Sequence, residues 1–298
     1  MVGTGRGERP EVPAGGRIAI PVAADREPAR TTRGAVAIGR QAELGLEFVD
    51  AASPARREER GRILQTRCDQ AVAGGASRVS WELIDGGAAD IGPYITWSGA
   101  TLRCLGTDGR RHLRSAAMTG GCPVPLVVVG PRWRPPANGY RTLVVGLDGD
   151  SSHNGQIAAT ATWLARRLGV DVRLVGVVSA RRGFDDVLSS AHLHWIADGL
   201  ERPSLFDTVT ADDPGPVLAR YIDVASVLVV GAPCHHRGIL GGLAGHLVRR
   251  AVAPIVIVPV ASPRSCCTVM ARRPQGARVR RPGPWRGGRS PAEAGVGR

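Results

Sequence analysis

This chain says much the same thing twice, about 124 positions apart, and that repetition constrains its fold more than any other feature. Arg17-Ile18-Ala19-Ile20-Pro21-Val22 answers Arg141-Thr142-Leu143-Val144-Val145-Gly146. Thr101-Leu102-Arg103-Cys104-Leu105-Gly106 answers Ser226-Val227-Leu228-Val229-Val230-Gly231, and Val124-Pro125-Leu126-Val127-Val128-Val129 answers Pro254-Ile255-Val256-Ile257-Val258-Pro259. Ile18 lies 88 residues before Gly106, and Thr142 lies 89 before Gly231. The chain reads as a tandem duplication, so each copy shows what the other kept or lost.

In both copies short β-branched, apolar runs alternate with helical patterns, which is the signature of βαβ units and a parallel sheet. The second copy predicts strands at 142–147, 172–178, 205–210, 226–230 and 255–260. Helices are expected after them, the first with Ile157, Ala161, Leu164 and Leu168 on one face and Gly169 as its stop. Others are expected at 185–200, 215–222 and 245–253. The first copy predicts strands at 18–22, 46–50, 79–84, 102–105 and 126–129, with helices at 35–44 and 57–73. The expected fold class is α/β: two tandem doubly wound, Rossmann-like domains, each with a mainly five-stranded parallel sheet. Their bounds are 17–130 and 140–260, with a linker at 131–139 and disordered ends at 1–16 and 261–298.

All 39 basic residues are arginine, which excludes a Walker P-loop, a kinase ATP site and Schiff-base chemistry, since each needs a lysine. The net charge of +13 is concentrated in the tail, where nine arginines face one glutamate after residue 260. No helix-turn-helix, zinc module or aromatic RNA-binding motif accompanies it, so a dedicated nucleic-acid partner is not expected. No run reaches the roughly 18 apolar residues of a membrane span, and residues 1–16 lack the apolar stretch of a signal peptide. The six cysteines lack zinc or C-x-x-C spacing and read as reduced thiols, which implies a cytoplasmic protein. His192 and His194 fall in an expected helix and face apart, and Cys234-His235-His236 lacks further ligands, so no metal is expected. Ser151 and Ser152 follow a strand without a G-x-S-x-G elbow or a visible base.

Ligands of doubly wound folds bind beyond the carboxyl ends of the strands. Two stretches of the second copy sit there: Leu147-Asp148-Gly149-Asp150, and the glycine-rich run from Gly231 to His246. Glycines admit phosphate oxygens to backbone amides, and a strand-tip carboxylate can accept hydrogen bonds from a ribose or base. In this order the motifs resemble the universal stress protein family, across both copies. Leu147-Asp148-Gly149 matches its V-D-G turn. Gly231, Cys234, Arg237-Gly238, Gly245, His246 and Pro254-Ile255-Val256-Ile257-Val258 follow its G-x-x-G, G-[S/T] loop and closing strand. The resemblance implies that Asp148 and the backbone at Val177 hold an adenosine and that the glycine loop holds phosphates.

The departures reduce the expectation to weak ATP binding. Cys234 stands where the second motif glycine belongs, the spacing to Gly245 is one residue long, and His246 replaces Ser or Thr. The first copy has lost more. Ala23 takes the aspartate position, and only 16 residues separate Gly109 from Pro125, against 20 between Cys234 and Pro254. It reads as a structural copy without a nucleotide. The resemblance implies a non-enzymatic stress-response protein with an intramolecular pseudo-dimer of its halves and scope for a further homodimer. The competing reading is a nucleotide-free scaffold acting through protein partners. A third, an ATPase, would depend on His246 as its base.

Overall fold

The computed structural model describes residues 16–22, 28–108, 122–148, 151–178, 203–211, 213–224, 226–233 and 242–260. The first half contributes β1 (Arg17–Pro21), α1 (Pro28–Ala42), β2 (Gly45–Ala52), α2 (Arg57–Ala73), β3 (Val79–Asp85), α3 (Ala88–Ser98), β4 (Leu102–Gly106) and β5 (Leu126–Val129). The second contributes β6 (Thr142–Asp148), α4 (Ser151–Leu168), β7 (Asp171–Val178), β8 (Pro203–Thr210), α5 (Pro214–Arg220), β9 (Ser226–Pro233), α6 (Gly242–Arg250) and β10 (Ile255–Val260). The helix expected at 185–200 and both terminal segments lie outside the described residues.

The strands form one ten-stranded sheet in the order β3-β2-β1-β4-β5-β10-β9-β6-β7-β8. Within each half every pairing is parallel, and the order is that of a doubly wound layer. The halves join where β5 and β10 pair antiparallel, Val127 opposite Val256. Strand alternation sends Ile18, Ile20, Leu46 and Phe48 to one face and Ala19 and Val49 to the other. In the second half Leu143, Val145 and Leu147 share the first face, and Val144 takes the second.

That alternation moves the repeat by one residue. Ile18 pairs with Leu46 and Leu102, and its counterpart on the same face is Leu143, which pairs with Val172 and Val227. Measured from Leu143, the second copy has the same spacing to its glycine as the first. The sequence match through Thr142 put a half-exposed strand start in register with a core residue.

Helix α1 starts seven residues before its expected position because Thr31 buries on the same stripe as Ala35, Ile38 and Ala42. Helix α4 buries Ile157, Ala161, Leu164 and Leu168 as expected and ends before Gly169. Helix α3 was not anticipated. Pro93 and the flanking glycines disguise it, yet Ile91, Tyr94 and Ile95 bury on one side, and the Asp90 carboxylate accepts the Gly87 N–H at 2.9 Å. Helices α1, α2 and α4 cover one sheet face with a single core that runs through both halves. The other face carries two separate cores, one under α3 and one under α5 and α6.

The second of these cores crosses the seam. Leu105, Leu126 and Val128 of the first half pack with Leu247, Val248 and Ala251 of the second. A Cβ on Gly130 would lie 2.4 Å from the Val248 carbonyl oxygen, so only glycine permits that approach. The connection is also part of the core, because Trp133 and Tyr140 are buried in it. Gln41 of α1 clasps it: its Nε2 donates to the carbonyls of Tyr140 (2.7 Å) and Leu168 (2.9 Å), and its Oε1 accepts from the Tyr140 amide (2.6 Å). Replacing Gln41→Ala leaves these groups without partners, so equilibrium urea unfolding should show a loss of about 1–3 kcal/mol. The transition should remain single by fluorescence and by circular dichroism, because both halves share one core.

Candidate functional site

The strand order of the second half reverses between β6 and β9, and the site follows from how those strands part. Their pairing ends at Gly146 opposite Val230. Both run on, β6 to Asp148 and β9 to Pro233. On the other side β6 stays paired with β7 to its end, with Asp148 opposite Val177. The expected adenosine-contacting backbone positions therefore stand side by side at a topological switch point. Leu147 and Val177 turn buried side chains into opposite cores, so what they can offer a ligand is main chain. Gly149 and Cys234 lie outside the described residues, as do His192, His194, His235 and His236.

Gly231 has a different place from the one its motif suggests. It is a residue of β9, paired with Val258, and a Cβ there would lie 2.6 Å from Ile157 Cδ1. Its smallness serves the packing of α4 on the sheet. Gly245 and His246 fall inside α6, which begins three residues before the expected 245. Gly245 is the fourth residue of α6, so its amide bonds back into the helix and only the amides before it are open to an outside acceptor. His246 sits one position further in, and its ring lies against the start of α5: a Cβ on Gly215 would be 3.0 Å from its Cδ2. Its Nε2 is buried without a hydrogen-bond partner. The Asp213 carboxylate caps α5 by accepting the Gly215 amide at 2.9 Å.

At the corresponding end of the first half the start of α1 is tied to the end of β4. Arg30 of α1 donates to the Thr107 carbonyl at 3.0 Å, just past the end of β4, while the Thr107 amide donates to Val129 O at 3.0 Å. Ala23 and Gly109 lie outside the described residues. The described thiols are buried and outside any disulfide, and burial pushes the Cys68 thiol up to about 12, which leaves it inert at neutral pH. Among the described residues no group of His, Cys, Asp and Glu is placed to hold a metal. No helix among them is long and apolar enough to cross a membrane.

No family model matches the chain, and no curated protein does. Among solved structures it is similar to a universal stress protein from Archaeoglobus fulgidus DSM 4304, with a TM-score of 0.61 at 10% identity, over 83% of this chain and 99% of that one. It is also similar to the cytoplasmic domain of a prokaryotic cation chloride cotransporter, with a TM-score of 0.51 at 14% identity, over 81% of this chain and 94% of that one. A functionally unknown protein from Pseudomonas aeruginosa PAO1 gives a TM-score of 0.50 at 12% identity, over 82% and 92%. What the chain shares with them is the fold: a Rossmann-like α/β layer of the universal stress protein kind, repeated across one sheet.

The packing role of Gly231 is open to direct test. Gly231→Ala should destabilise the protein by about 1–3 kcal/mol through overpacking against Ile157. Ile157→Val, which removes the clashing Cδ1, should recover most of that loss in the double variant, as measured by urea unfolding.

Proposed function

We propose that this chain is a tandem universal stress protein, a non-enzymatic regulator in the stress response whose second half binds an adenine nucleotide weakly. The observation that carries the reading is the parting of β6 and β9 beyond Gly146 and Val230. It leaves Asp148 and Val177 adjacent at the opening, at the end of the sheet from which α6 starts back. Asp148 accepts from the nucleoside, the Val177 main chain lines it, and the first amides of α6 face the phosphates. The buried thiols, outside any disulfide, fit a reducing, cytoplasmic setting.

The scaffold reading is favoured by a separate observation, the Arg30–Thr107 contact that ties α1 to the end of β4 in the first half. On this reading the first half serves the seam and holds no nucleotide of its own. An ATPase would need His246 beside the γ-phosphate, whereas its ring lies against Gly215.

Calorimetric titration of the full chain with ATP tests the site. One nucleotide per chain is expected, weakened by about 1.5–3 kcal/mol in Asp148→Ala, the usual range for a hydrogen bond to a charged group. Ala23→Asp should gain nothing, and Cys234→Gly should tighten binding by letting the backbone approach. Absence of heat at millimolar ATP, with no rise in melting temperature, would leave the scaffold reading. Two equivalent nucleotides per chain would overturn the asymmetry.

A further inference from the structure

The two halves place different charges at the same point of the fold. In the second half Val144 pairs with Arg173, and Val175 pairs with Asp207. Arg173 and Asp207 form an ion pair at 2.8 Å, with the Arg173 guanidinium 4.7 Å from the ring centre of Tyr221 at the end of α5. In the first half the equivalent pairings are Ala19 with Glu47 and Val49 with Glu82. The arginine has become a glutamate, so two carboxyl groups lie diagonally across one face of β2 and β3.

Both are buried, Glu47 at 5% and Glu82 at 8% exposure. Glu47 has partners on one oxygen only: Oε1 accepts from Arg17 of β1 at 3.3 Å and from the Tyr94 hydroxyl of α3 at 3.3 Å. Its Oε2 is buried without a partner. Arg17 is itself divided, since it also donates to the Ser98 carbonyl at the end of α3. The other described cation acting on Glu82, Arg57 of α2, is bound to Asp85, and Arg103 on the same face is held by main-chain carbonyls. Among the described residues Arg17 is therefore shared between two buried acids.

We propose that Glu82 is a proton-gated latch for α3, closed while its carboxyl holds a proton beside Glu47 and loosened when that proton leaves. Desolvation by burial, followed by repulsion from Glu47, pushes Glu82 up to about 7, against the weaker pull of Arg17 and Arg57. Burial raises Glu47 as well, opposed by Arg17 and the Tyr94 hydrogen bond. A carboxyl raised in the folded state is bound to its proton more tightly there than in the opened state. The latch is strongest below the ordinary carboxyl range and weakens as pH rises towards about 7, where the folded state gives up its proton. Above neutrality a second charge faces α3 with no described cation bonded to it. Release reaches the seam, because the Thr96 hydroxyl of α3 contacts Cys122 Sγ at 3.3 Å, just before β5.

Amide hydrogen exchange of residues 88–98 in the full chain, corrected for intrinsic rates, tests this. Protection of α3 should fall about tenfold between pH 6 and pH 8, while α4 stays unchanged. Glu82→Gln should keep α3 protected throughout. Glu47→Gln should move the fall to lower pH, because the repulsion on Glu82 is gone, and it decides the matter if Glu82→Gln fails to fold. Unchanged wild-type protection, the same fall in Glu82→Gln, or an unshifted fall in Glu47→Gln would each overturn the latch.

Discussion

The antiparallel pairing of β5 with β10 is the constraint on which the rest of the architecture depends. Each half is a parallel layer, and a parallel layer would otherwise end in a hydrophobic edge with unpaired backbone groups. Pairing two such edges removes both at once and sets the halves about a common axis. It also places α1 beside α4 on one face, where their apolar stripes merge into a single core. Once the seam is made, the two faces differ: one is shared, and the other is divided into a first-half core and a core that reaches across.

The halves then diverge where the shared frame permits it. In the second half the strand tips open at the switch point, and the polar residues of the outer strands pair as opposite charges. In the first half an arginine ties α1 to the end of β4, and the interior of the sheet is more polar. Arg103, on the face away from the shared core, is buried at 4% exposure and donates to the carbonyls of Val124 and Cys122. Leu228 holds the equivalent place in the second half. A buried arginine of this kind satisfies main-chain oxygens that have no strand or helix partner there.

Much of this was legible in the residues. Buried strands are short and β-branched, so Leu126–Val129 and Ile255–Val260 announce themselves, and the pseudo-dimer they join is what the family resemblance implied. The stripe of α4 was equally plain. Helix α3 was not, because Pro93 and its glycines look like a loop until Tyr94 and Ile95 are seen under the sheet. The one-residue offset of the repeat escaped because adjacent strand positions are similarly apolar, and only the facing of each side chain separates them. At the site, the neighbourhood of Asp148 and Val177 was implied by the family resemblance, and the strand register puts the two residues opposite each other. The roles of Gly231 and His246 could not, since what each touches, Ile157 and Gly215, is distant in sequence.

The clasp at Gln41 has a consequence for how such a molecule can move. Trp133 and Tyr140 lie in the shared core, and Gln41 holds the main chain of Tyr140 and the end of α4 together. The connection between the halves is thus a rivet, with no slack in which a hinge could turn. Rigid-body rotation would have to tear a continuous sheet and a close-packed interior. A disturbance at the strand tips of one half therefore travels as small displacements of interlocked side chains, and its natural outlets are the helices that each half packs alone.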